Sequence, residues 1–327
     1  MIPTASILAD LYAPVRGDLH SVNQIIESEL ASAHDVVNQL CQHVGQYRGK
    51  MLRPALLLLS GRATGQITQE HRVLAAVVEI VHLATLVHDD VLDHAEFRRQ
   101  HPTINATNGN TTAVLLGDYL ISHAYHLCSQ IADSIAARTV ASTTNAVCEG
   151  ELLQVSRRHD LELSEDAYLE IIAKKTAALT ATCCALGATY SGAEPSVIRS
   201  LHEFGMSAGI AFQIVDDVLD LTGDEWTTGK SLGRDLTLGN ATLPVIHAMR
   251  TLSPNERREI CEALTSGDST RLATVRRAID LAGSLDYALD RARQFVERAR
   301  SQLCELAASP AKDSLHEMAE FIIRRHF

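Results

Sequence analysis

Between Gly65 and Pro102 the chain carries no glycine or proline, and Leu74, Val77, Val78, Val81, Thr85 and Val91 recur at helical spacing. That periodicity predicts one long amphipathic helix through the stretch. Comparable runs, rich in Ala, Leu and Ile and poor in breakers, cover residues 17–43, 118–158, 164–186, 196–222, 270–307 and 312–327. No segment alternates apolar and polar residues as a half-buried strand does, so the pattern predicts an all-α protein. Polar connections such as SGAEPS at 191–196 and ASPAKD at 308–313 supply turn residues between helices. The longest irregular stretch, Thr222 to Thr242, holds four glycines, and a loop of that length in a helical protein usually serves a function.

Composition narrows the class. The 327 residues are 46% hydrophobic and 21% charged, as in an ordinary globular protein. The most apolar long segment, 71–95, contains Arg72, Glu79, His82, Asp89 and Asp90, so no bilayer-spanning helix is expected. With 40 acidic against 29 basic residues the formal charge is -11, which excludes a nucleic-acid backbone as partner and leaves metal ions as the route to any polyanion. The first twenty residues lack a basic start and are broken by Pro3, Asp10 and Pro14, so no export signal is expected. Seven cysteines without a CxxC pair suit buried free thiols in a reducing compartment, and a cytoplasmic location is expected. His88, His94, His101 and the other histidines show no zinc-like spacing with cysteine and read as structural.

One string occurs twice: DDVLD at 89–93 and again at 216–220. On a helix Asp89 and Asp93 lie one turn apart on one face with Asp90 offset, and Asp216, Asp217 and Asp220 repeat the geometry. Like charges so placed destabilise a helix unless a cation sits among them. Carboxylates at i and i+4 give Mg2+ a few oxygens and leave positions for water and phosphate. Both clusters grow out of strongly apolar runs (HLATLV and GIAFQIV), which places them at the rim of a core. A single copy would read equally well as a solvated helix end; two copies point to a paired metal site.

Fixed cations stand close by in sequence. Lys50 and Arg53 are three apart before an apolar run, Arg98 and Arg99 follow the first cluster, Lys174 and Lys175 precede Thr176 on another helix, and Lys230 lies in the glycine-rich loop. Arginine in particular suits forked contact with phosphate.

With these residues the sequence resembles the trans-polyprenyl diphosphate synthase (polyprenyl synthetase) family. GKMLRP, EIVHLATLVHDDVLD, EFRRQHPTINATNGNTTAVLLGDYL, KKTAAL, FQIVDDVLD and GKSLGRD occur in the family's order from about Tyr47 to the carboxyl terminus. The resemblance implies an all-α isoprenoid synthase fold, a large antiparallel helix bundle around a central cavity, with residues 1–327 forming a single polyprenyl synthetase domain. It implies that Asp89, Asp93 and Asp216 coordinate Mg2+ on an allylic diphosphate, three ions per site, with Asp90, Asp217, Asp220 and Asp235 supporting metal-bound waters. Arg98, Lys175 and Lys230 would hold the same diphosphate. Lys50, Arg53, His82 and Arg99 would hold isopentenyl diphosphate, and Thr176 and Gln213 would aim oxygens at the developing carbocation. No side chain is an evident base; in the family the released diphosphate takes the proton. A homodimer is expected by analogy, with peripheral membrane contact for product release.

Two positions depart from the family pattern: Asn240, where many relatives have Lys, and Gln100, where many have Gly. The product tail is expected to run from Asp89 past Thr85, Ala84, Val81 and Val77, a twelve-residue ladder of about 18 Å. None of the four is aromatic. In short-chain relatives a bulky residue near Ala84 or Thr85 blocks the channel, so the sequence favours a long-chain product primed by farnesyl or geranylgeranyl diphosphate. The alternatives are a short-chain synthase and a subunit of a two-component long-chain synthase. A terpene cyclase would not need the GKMLRP cations or His82. The Glu79-x-x-His82 spacing of a di-iron protein lacks a second copy. The stretch Gly223 to Ser231 has five residues between its glycines instead of the four of a phosphate-binding loop and follows a helix where a strand is required.

Overall fold

The structure is a computed structural model that describes residues 4–47, 49–222, 233–266 and 271–324. Packing divides the chain into two compact units: Met1–Thr144 with Leu179–Gly205 and Gln302–Met318, and Asn145–Ala178 with Met206–Ser301 and Ala319–Phe327. Helices α1 (Thr4–Leu11), α2 (Arg16–Glu29), α3 (Asp35–Gly45), α4 (Leu52–Thr64), α5 (Gln69–Leu92), α6 (Ile104–Asn108) and α7 (Asn110–Ser129) belong to the first. Onward run α8 (Ile135–Ser156), α9 (Glu165–Ile172), a π turn (Ala173–Ala177), α10 (Ala178–Tyr190) and α11 (Pro195–Thr222). Then come α12 (Arg234–Leu238), α13 (Leu243–Thr251), α14 (Pro254–Ser266), α15 (Arg271–Leu281), α16 (Ser284–Ser301) and α17 (Pro310–Arg324).

In the first unit α5 is the axis, packed against α2, α4 and α7. Its start is fixed by a capping box between Thr68 and His71, which satisfies two orphan N–H groups. Leu74, Ile80 and Leu83 of α5, Leu57 to Leu59 of α4 and Leu120 of α7 are fully buried. The approach of α5 to α7 needs Gly117, because a Cβ there would overlap the His88 ring. The second unit has its own core of Leu221, Leu236, Val245, Leu252, Ile260, Val275 and Ile279.

Among the described residues the all-α expectation holds apart from one small hairpin, β1 (Phe97–Arg98) paired antiparallel with β2 (His101–Pro102). The helix expected across 65–102 therefore stops at Leu92. What ends it is His94 at φ +50°, and what turns the hairpin is Arg99 at +50° and Gln100 at +67°, the two left-handed central residues of a tight turn. None is glycine, so nothing in the sequence marked the break. Left-handed backbone costs an L-residue about 1–2 kcal/mol. Gln100→Gly is accordingly expected to stabilise the protein by up to about 1 kcal/mol, after allowing for the looser unfolded chain; an unchanged or lower urea midpoint would contradict it.

Other expected runs split at side-chain caps. Asn38 exchanges hydrogen bonds with the Ser32 backbone (2.9 and 2.7 Å) at the start of α3, and Asp133 accepts from the Ile135 N–H (2.7 Å) at the start of α8. Gly283 at φ +62° separates α15 from α16. Helices α4, α13 and α14 were not among the expected runs, and α12 lies within the stretch read as irregular. Among the described residues one helical run, Glu165–Tyr190, is long and apolar enough to cross a membrane, and 67% of its apolar window is buried in the fold. None of the seven cysteines is in a disulfide, but Cys148 and Cys304 are exposed, so the buried set expected from the sequence is reduced to Cys128, Cys183 and Cys184.

Candidate active site

The first aspartate cluster closes α5. Asp89 and Asp93 are half-buried, whereas Asp90 turns inward and is almost fully covered. There it meets Arg98 from β1: Nε donates to both Asp90 oxygens (2.9 and 3.0 Å) and Nη2 to Oδ1 (2.7 Å). Only 11% of the Arg98 side chain is exposed. Burial works against the Arg98 charge, yet the hydrogen bonds and charge of Asp90 outweigh it and raise the guanidinium above its ordinary value.

Beside this pair the cations gather. The left-handed turn aims Arg99 at the Tyr47 carbonyl (2.6 Å), and a Cβ on Gly49 would strike its guanidinium. Tyr47 is itself fixed, its hydroxyl accepting from the Ile104 N–H (2.9 Å). Burial, then the charge of Asp90, push Tyr47 up to about 12. His82, two turns before Asp89, is pushed well below its ordinary value by burial and then by Arg53, Arg99 and Arg98. Burial and the three nearby guanidinium groups of Arg53, Arg98 and Arg99 thus all disfavour a charge on this ring. Lys50 is exposed just before α4, where Met51 at φ +51° starts the helix that carries Arg53. Six of the cations and ligands expected here, Arg53, His82, Asp89, Asp90, Arg98 and Arg99, thus come together in the first unit.

The second cluster closes α11. Again the middle aspartate turns inward: Asp217 is buried, and its oxygens accept from Tyr168 Oη (2.7 Å) and Gln213 Nε2 (2.8 Å). Thr176 Oγ1 donates to Gln213 Oε1 (2.9 Å), so Thr176, Gln213 and Asp217 form one chain of hydrogen bonds. Burial, then the charge of Asp235, push Asp217 well above the carboxylate range, with Asp216 adding to the same effect. Asp216 and Asp220 are half-buried. Asp220 accepts from the N–H groups of Arg234 (3.3 Å) and Asp235 (3.2 Å), anchoring the start of α12. Asn240, the departure from the family pattern, donates to Asp235 Oδ1 (3.2 Å).

Lys175 and Thr176 stand on the π turn, which widens the helix by one residue where α8 comes near. A Cβ on Gly150 of α8 would lie 2.5 Å from the Lys175 backbone nitrogen. Lys175 Nζ pairs with Glu151 Oε2 (2.6 Å) and donates to Gln154 Oε1 (2.6 Å), while Lys174 pairs with Glu149 (3.1 Å) and Glu170 (3.4 Å). Sequence reasoning missed Tyr168, Glu151, Gln154 and Tyr47. The available signal was spacing: Glu151 and Gln154 share a helix face, and Tyr168 lies about two turns before Thr176. Lys230 and the Gly223–Ser231 stretch lie outside the described residues.

The polyprenyl synthetase family matches residues 34–282, more than half of the chain. The chain belongs to the polyprenyl synthetase family. As a polyprenyl synthetase it has the all-α isoprenoid synthase fold and is a trans-polyprenyl diphosphate synthase, catalysing Mg2+-dependent condensation of isopentenyl diphosphate with an allylic diphosphate. It is 37% identical over 317 residues to an all-trans-nonaprenyl-diphosphate synthase (geranyl-diphosphate specific) of Rhodobacter capsulatus, covering 97% of each chain. It is 35% identical over 288 residues to a short chain isoprenyl diphosphate synthase of Methanothermobacter thermautotrophicus, covering 87% of this chain and 89% of that one. Among solved structures, a polyprenyl synthase from Caulobacter crescentus complexed with calcium and isoprenyl diphosphate superposes with a TM-score of 0.93 at 33% identity, covering 97% of this chain and 98% of that one.

Proposed function

We propose that this polyprenyl synthetase makes a long-chain all-trans polyprenyl diphosphate, with Asp89, Asp93 and Asp216 holding Mg2+ ions, three in number, and the neighbouring cations holding the substrates. The observation that carries the residue roles is common to both clusters: the middle aspartate is held by protein donors, leaving its i and i+4 companions half-buried at the helix end. The donor set fits the ion, because carboxylate oxygens suit a hard divalent cation. Burial first, and then the like charges of Asp235 and Asp216, raise the Asp217 carboxyl, and a bound divalent cation would relieve the like-charge part of that cost.

Bound Mg2+ supplies Lewis-acid stabilisation of the departing diphosphate. The protein's own part is electrostatic and steric. Arg98, Lys175 and Lys230 hold the allylic diphosphate; Asp90 and Glu151 keep two of these cations aimed until substrate arrives. Lys50, Arg53, Arg99 and neutral His82 hold isopentenyl diphosphate. Thr176 and Gln213 turn oxygens toward the positive charge that develops on carbon, with Asp217 and Tyr168 fixing Gln213. Asp220 and Asp235 support metal-bound water at the start of α12. Apolar residues below the aspartates exclude water, which would otherwise trap the cation as an alcohol. Residues 1–327 act as a single domain in the cytoplasm and as a homodimer, the last supported by exposed apolar side chains such as Leu115 (63%) and Leu152 (70%). Product release involves transient contact with a membrane surface.

Chain length rests on the α5 face. Val77, Val81 and Ala84 are packed to 0–2% exposure, and Thr85 keeps accessible surface one turn from Asp89. Thr85 is therefore the better place for a plug than Ala84. Incubating the protein with Mg2+, radiolabelled isopentenyl diphosphate and farnesyl diphosphate tests the proposal: products well beyond twenty carbons are expected, and termination at twenty or fewer would point to the short-chain reading. Thr85→Phe should shorten the ladder to roughly fifteen to twenty carbons by filling that space; an unaltered ladder would remove α5 from the determinants of length.

A further inference from the structure

At the far end of α2 from its start, Glu29 is met by two histidines of α7. Glu29 Oε1 lies 2.7 Å from His123 Nδ1 and 2.8 Å from His126 Nδ1. The histidines are three apart on one helix, so both rings leave the same face. The Glu29 side chain is only 11% exposed, His123 is 25% exposed and His126 is 62% exposed. The carboxylate is therefore held in place while one ring remains open to solvent. Tyr119 braces the inner histidine, its ring centroid 4.3 Å from that of His123. None of these side chains is among those assigned above to metal, diphosphate or carbocation.

We propose that Glu29, His123 and His126 form a binding site for one Zn2+ ion that clips the end of α2 to α7. Two imidazole nitrogens and one carboxylate oxygen are the ligands zinc takes where three protein groups leave a fourth position for water. The three ligand atoms lie within 4.8 Å of one another. Zinc bonds of about 2.0–2.1 Å require ligand atoms about 3.3 Å apart in a tetrahedron, so the two nitrogens, now 2.7 and 2.8 Å from Glu29 Oε1, must each move back by about half an ångström to admit the ion. The site differs in kind from the aspartate clusters, since nitrogen ligands prefer zinc whereas all-oxygen sets prefer Mg2+. Because the histidines come from α7 and the carboxylate from α2, 94 and 97 residues earlier in the chain, the ion would tie together segments remote in sequence. The sequence gives no hint of this, since the ligands are not grouped in a cysteine–histidine pattern.

The test uses the full-length protein, stripped with chelator and returned to saturating Mg2+ so that the acidic clusters are occupied. Calorimetric titration with Zn2+ is expected to give one site per chain at micromolar Kd or tighter and to raise the melting temperature, as binding to the native state alone requires. Co2+ should give a visible absorption band that Zn2+ abolishes. The double variant His123→Ala/His126→Ala should bind Zn2+ more weakly by more than the roughly 10–100-fold that changes beyond the ligand shell cost, with prenyl transfer in Mg2+ unchanged. Zinc uptake by the double variant as tight as that of the unaltered protein, or no uptake by the unaltered protein, would overturn the site and leave two simple imidazole–carboxylate hydrogen bonds. If the double variant melts early without zinc, Glu29→Gln carries the same test, because it keeps an acceptor for the rings and removes the charged ligand. Since the prenyl-transfer assay is read separately, loss of zinc binding and loss of the prenyltransferase reading cannot be confused.

Discussion

Asp89→Asn is expected to lower kcat for prenyl transfer by about 10³-fold or more while leaving the fold intact. The carboxylate is half-buried at the end of α5, and asparagine keeps its size, so packing is little disturbed. What is lost is a negatively charged oxygen for a divalent cation, at the place where leaving-group charge must be stabilised. Removing one preorganised electrostatic group typically costs about 10²–10³ in rate, and loss of a metal ligand also raises the Mg2+ concentration needed for half-maximal activity. Steady-state assays across a Mg2+ series, with circular dichroism on the same samples, check both parts. Activity within about tenfold of the unaltered protein would remove Asp89 from the metal ligands.

The second large effect falls on stability. Asp90→Ala leaves the Arg98 guanidinium, 11% exposed, without its carboxylate. Breaking a buried pair by deleting one partner typically costs about 3–5 kcal/mol, because arginine cannot shed its charge to escape. Arg98→Met in the Asp90→Ala background should recover part of that loss, since no charge is then buried alone. The four proteins form a double-mutant cycle in urea, and a coupling near zero would mean that the pair contributes only to substrate binding. On the proposed roles the middle aspartate differs from its neighbours: Asp90 would act on the fold through Arg98, and Asp89 and Asp93 on the ion.

The parts of this site that rest on residue type and spacing could be read from the sequence. The repeated DDVLD, the helical runs beneath it and the cations of GKMLRP announce charge chemistry at the rim of an apolar core. What could not be read depends on where the backbone leaves the regular helix. The end of α5 rests on His94, and the hairpin turn on Arg99 and Gln100, all three with positive φ, which few residues other than glycine adopt. The pairing of Asp90 with Arg98 follows from that hairpin and was invisible without it. Likewise, the breaks at Asn38 and Asp133 come from polar side chains that cap helices in some contexts and face water in others. Tyr168 was passed over because a tyrosine on an apolar helix is usually core, and only the structure sets its hydroxyl on Asp217.

The π turn at Ala173–Ala177 bears on how such a site can change. A turn of this kind holds one residue more than the helix around it requires, so the segments before and after keep their packing faces as though that residue were missing. Chain length at this point is thereby uncoupled from scaffold register. A relative lacking a single residue here could retain every core contact of α9 and α10 yet present Lys175 and Thr176 differently, so alignment gaps in this segment carry more functional meaning than substitutions elsewhere along the helix.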